Sequence, residues 1–113
     1  MHVLTAWLGA FLFGQAIEVP IYSVPLGDRP VVARLVIAFG ATAITHPFVW
    51  FVFPAIVPGS YVGMAILAEA FAVGVETIYL RCFGVSRALG WSVLANGSSL
   101  GLGLLSRHLF GWP

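Results

Sequence analysis

A chain of 113 residues that is 60% hydrophobic and only 8% charged lies far from the roughly 25% charged residues of a soluble domain. Its net charge of +1, carried on dispersed arginines without any lysine, excludes a nucleic-acid partner and lysine Schiff-base chemistry. The single cysteine, Cys82, excludes an intrachain disulfide and a metal cage built from cysteines. What remains is one integral membrane domain with little outside the bilayer.

Taken in order, the chain is divided by three breakers: Pro25 to Pro30, Pro58-Gly-Ser60 and Gly84-Val-Ser-Arg87. They leave four apolar spans at about 2–25, 31–57, 61–83 and 88–107, each near the roughly 20 residues that a bilayer crossing needs. Runs of this length in lipid are helices, because a helix satisfies its own backbone, and the alternation of a barrel strand is absent. The short connections make neighbours antiparallel. The predicted fold is therefore an all-α, four-helix antiparallel transmembrane bundle. The first span lacks a basic leader and an A-x-A-like cleavage site, and Glu18 and Pro20 interrupt it. It is expected to be a retained helix. The sequence offers no convincing internal repeat: the first and third spans each carry a Glu, but their surroundings do not match.

Arginine placement predicts orientation. Arg29 and Arg34 flank the first connection, Arg81 and Arg87 the third, and the second has none. The positive-inside rule then puts both termini outside the cytoplasm, with Arg107 dissenting. A bacterial inner membrane is the expected location. Trp7, Trp50, Tyr61 and Trp112 would form an outer aromatic belt, and Tyr22, Tyr79 and Trp91 an inner one.

Ionisable residues inside such spans are costly and point to function. Three of the four acidic residues, Glu18, Glu69 and Glu76, lie there. Counting the helical rise from the cytoplasmic ends puts Glu18, Glu76 and Asn96 at one level, roughly 10–12 Å deep, and His46 with Glu69 at another, roughly 21 Å deep. Gln15, Thr42 and Thr45 lie between as supporting groups, and Ser99 shares a face with Asn96. Pro20 and Pro47 each remove a helical hydrogen bond, beside Glu18 and His46 respectively, and free a carbonyl. Two carboxylates brought together in low dielectric share a proton or bind a cation. His46 and Glu69 could instead relay a proton or supply two ligands to a metal ion. Against each reading stands a packing role: a buried Glu or His can simply fix helix register, and Gly97-x-x-x-Gly101 is a close-approach face.

In length, helix number and the membrane-embedded Glu18 of its first helix, the chain resembles the small multidrug resistance transporters. The likeness is one of layout, and it bears on Glu18 alone. The first functional expectation is a small transporter handling protons or cations through Glu18, His46, Glu69, Glu76 and Asn96, assembled as a homodimer or larger in the lipid bilayer. The alternatives are an intramembrane enzyme using a Glu/His acid–base or metal site, and an accessory subunit whose polar groups specify packing. The small substrate or ion is not encoded legibly.

Overall fold

The computed structural model describes residues 2–57 and 59–112, with the side chain of His2 left aside. Among the described residues there are helices and no strands. Helix α1 spans His2–Ser23. Helix α2 runs through Val31–Ile56, in three stretches: an α-helical part Val31–Pro47, one π-helical turn Phe48–Val52 and a last α-helical turn Phe53–Ile56. Helix α3 spans Tyr61–Cys82 and α4 spans Ala88–Phe110. All four are long and apolar enough to cross a membrane. The molecule extends 43 × 26 × 24 Å, and its long axis exceeds the roughly 30 Å of a hydrocarbon core.

Local chemistry sets the ends. Ser60 opens α3, its hydroxyl accepting from the Gly63 amide at 3.0 Å, which satisfies one of the unpaired first-turn donors. Gly84 closes it with φ +83°. There the Val85 amide reaches back to the Leu80 carbonyl at 3.1 Å and the Gly84 amide to Arg81 at 3.0 Å. That paired closure requires a left-handed residue, for which glycine carries no Cβ penalty. Helix α4 continues three residues past the expected Arg107, because the left-handed stop is Gly111. The π-helical turn follows Pro47, whose missing N–H already interrupts the regular hydrogen-bond ladder.

Contacts between neighbours run in opposite directions along the chain. Phe11 meets His46 while Glu18 meets Thr42. Phe71 meets Phe48 while Tyr79 meets Ile37. Glu18 meets Ser99 while Phe13 meets Trp112. Adjacent helices are thus antiparallel and close a ring in which α1 touches α2 and α4, and α3 touches the same two.

The interior is small and polar while the exterior is large and apolar. Ala38, Ala41, Ala68, Ala72, Ala88 and Ala95 are buried, whereas many Leu, Val and Phe side chains face outward. An outward apolar surface is stable in lipid, and small inward residues let helices approach closely. The larger buried side chains gather at one end: Tyr22, Leu26 and Leu80 pack with Val85 and Ala88, where the first and third connections lie. Arg29 straps these two connections together. It donates to the Phe83 carbonyl at 2.6 Å and lies 5.9 Å from the centre of that ring, a cation–π contact.

Candidate functional site

Glu18, Glu76 and Asn96 come from three helices and are all buried. Each carboxylate is held by donors from both α2 and α4. Glu18 Oε1 accepts from Thr42 at 2.5 Å and its Oε2 from Ser99 at 2.6 Å. Glu76 Oε2 accepts from Thr45 at 2.6 Å, and its Oε1 from Asn96 Nδ2 at 3.0 Å and from the Tyr22 hydroxyl. Thr42 and Thr45, like Asn96 and Ser99, stand three residues apart and so share a helix face. On each of α2 and α4 one member therefore serves each acid.

All of these donors are neutral. Among the described residues the one ion pair is the surface contact of Arg29 with Asp28 at 4.0 Å, so neither buried carboxylate has a cationic partner. Thr45 and Ser99 each have a second acceptor within reach, the Thr42 carbonyl at 3.2 Å and the Asn96 carbonyl at 3.1 Å. A hydroxyl has one hydrogen and two lone pairs. If either acid takes up a proton, its hydroxyl partner can turn to that carbonyl and accept from the acid, with no heavy atom displaced.

Both acids lie at the base of a cavity of about 580 Å³, also lined by His46, Glu69, Thr42, Thr45 and Ser99. It reaches Val3, Tyr61 and Arg107, toward the end of the bundle that holds both termini. Below the base, Tyr22, Leu26 and Leu80 fill the interior. His46 packs against Phe11 at 5.3 Å and Trp50 at 6.4 Å between ring centroids, and its buried Nδ1 has no hydrogen-bond partner among the described residues. Glu69 makes no hydrogen bond or ion pair among the described residues. The two share the cavity without a hydrogen bond or ion pair between them, and no group of three or more His, Cys, Asp or Glu is placed to hold a metal ion, all among the described residues. Gln15 donates to the Phe39 carbonyl at 3.0 Å, fastening α1 to α2 one turn from Glu18.

Two participants, Tyr22 and Ser92, are additional to those expected. Tyr22, assigned to an inner interfacial belt, is instead fully buried, because its hydroxyl finds Glu76. Tyr79, assigned to the same belt, turns inward and donates to the Ile37 carbonyl at 2.8 Å. Ser92 is fully buried, accepts from Asn96 Nδ2 at 3.4 Å and donates to the Val73 carbonyl at 3.0 Å. A sequence signal was available. Tyr22, Gly27, Ala38 and Thr42 recur at one constant spacing as Tyr79, Gly84, Ala95 and Ser99. Two of these pairs play like parts: both alanines are fully buried, and Thr42 and Ser99 both donate to Glu18; the glycines differ, Gly84 having a positive φ and Gly27 not. The surroundings of these positions do not match, so they do not amount to an internal repeat. The glutamates fall out of this spacing, since Glu18 precedes its tyrosine by four residues and Glu76 by three.

No protein-family model, curated protein or solved structure matches the chain.

Proposed function

We propose that the chain is a small transporter that carries a proton or a cation on the Glu18–Glu76 pair. The observation that supports this most is the chemistry of the base: two buried acids that, among the described residues, are held by neutral donors and form no ion pair. Carboxylates confined together in low dielectric do not both stay ionised without compensation. A bound proton or cation supplies it, and the hydroxyl partners accommodate either state. The setting is a bilayer, with the termini extracytoplasmic and an inner membrane as the location.

Infrared titration of the carboxyl stretch in purified protein tests the pair. A shared proton gives a protonated-carboxyl band that Glu76→Gln removes while circular dichroism stays unchanged, since glutamine is near-isosteric with protonated glutamate. If Glu18→Gln and Glu76→Gln both leave the carboxyl spectrum and any cation-linked proton release as in the wild type, the polar groups specify packing only.

The transporter acts as a homodimer or larger assembly in this reading. Gly97 and Gly101 are exposed, and a Cβ added to either meets nothing within 4 Å, so this close-approach face points out of the bundle. Gly101→Leu should shift the protein toward monomer in mild detergent without lowering its helicity. A wild-type protein that is already monomeric at every concentration would rule the assembly out.

A further inference from the structure

Resting on the cation-binding reading of the Glu18–Glu76 pair, we propose that the cavity takes a linear aliphatic diamine, with one ammonium at the base and the other at Glu69. A volume of about 580 Å³ is far more than a proton or bare ion occupies, since one water accounts for about 30 Å³. The space calls for a molecule, and its lining says which kind.

The base offers acceptors. Besides the carboxylates there is the carboxamide of Asn96, only 4% exposed. Its four hydrogen bonds all leave from Nδ2. Its Oδ1 accepts nothing among the described residues, and Asn96 lines the cavity. The Nδ2 contacts fix the orientation of the amide, since two of them are to the Glu76 carboxylate and the Ser92 carbonyl, which only accept. An amide oxygen open to the cavity can accept from a ligand's N–H. A primary ammonium has three N–H donors and no acceptor, so it complements two carboxylates and an amide oxygen. A hydroxyl or carboxamide ligand would bring lone pairs of its own.

Above the base, much of the wall between Glu76 and the mouth is hydrocarbon, with His46 and Glu69 the polar side chains about midway. Ala65, Ala68 and Ala72 follow one face of α3, opposite Leu100 and Leu104 of α4. This stretch suits a methylene chain and leaves an inorganic cation without ligands. Glu69 stands two turns above Glu76, roughly 10 Å along the axis, and also faces the cavity. It has no partner among the described residues, so a second ammonium would be its first. Among the described residues the one arginine lining the cavity, Arg107, lies at the outer end, about 12 Å beyond Ser99 along α4.

The test compares hexamethylenediamine, hexylamine and potassium chloride on the purified full chain in neutral detergent at low salt. Binding is read from tryptophan fluorescence, since Trp50 lines the cavity, and from proton release into a weakly buffered indicator. The diamine should bind at least roughly tenfold more tightly than hexylamine, release protons, and outcompete potassium. Glu69→Gln, checked for helicity and elution, should reduce that preference to within about twofold. Equal binding of the two amines, or a diamine preference that survives Glu69→Gln, overturns the proposal. If neither amine binds while the wild-type carboxyl band still titrates and depends on Glu76, the diamine inference fails and the proton reading stands. If that band is absent as well, both fail.

Discussion

Tyr22 carries the residue-scale lesson. It sits one turn after Glu18 on α1, yet it serves the other acid, Glu76, from a fully buried position. A phenol here can donate to the carboxylate and accept from Asn96 Nδ2 at 3.3 Å, so it links α1 to both α3 and α4. Removing the hydroxyl removes a hydrogen bond to a charged or proton-sharing group, worth about 1.5–3 kcal/mol. Tyr22→Phe should therefore lower thermal stability in detergent by about that amount and displace the Glu76 carboxyl band in the infrared. The control is Tyr79→Phe, which removes a bond to a backbone carbonyl and should leave the band where it is. An unmoved band in Tyr22→Phe would mean the tyrosine only packs.

At the scale of elements, the helix ends are where the chain commits itself. The Gly84 closure aims the third connection back at the bundle, so that Val85 is buried against Leu80 and Ala88. Alanine at φ +83° meets the left-handed penalty of roughly 1–2 kcal/mol. Gly84→Ala should lower the unfolding midpoint accordingly, whereas Gly90→Ala, in a regular helix with open space around it, should not; equal effects would show that the turn is not the cause. These ends also mark how much was legible beforehand. Long apolar runs and Pro/Gly breakers are local signals, so the four spans could be read from sequence, with ends off by up to three residues. The shared level of Glu18, Glu76 and Asn96 followed from counting helical rise alone. Which hydroxyl serves which acid did not, because it depends on how each helix is rotated about its axis. An aromatic pattern near a helix end reads equally well as an interfacial belt or a buried donor, and Tyr22 fell on the second side. The constant spacing of Tyr22, Ala38 and Thr42 with Tyr79, Ala95 and Ser99 was easy to miss, because the glutamates are out of step with it.

Over the whole molecule, the two ends of the bundle differ. One is filled by Tyr22, Leu26, Leu80 and Val85 and strapped by Arg29 onto Phe83. The other receives the cavity, the termini and Arg107. The filled end also carries Arg29, Arg34, Arg81 and Arg87, which face two short connections. Positive charge in short loops resists translocation, so the filled end should lie in the cytoplasm and the cavity should be reached from the opposite side. A reporter active only in the cytoplasm, fused after the C-terminus, should then be silent, and one active only outside should work. Exchanging Arg29, Arg34, Arg81 and Arg87 for glutamine would leave Arg107 as the only arginine and should turn part of the population over, activating the silent reporter. A strong cytoplasmic signal from the unaltered chain would place the cavity mouth inside the cell instead, with Arg107 outweighing four residues at the other end.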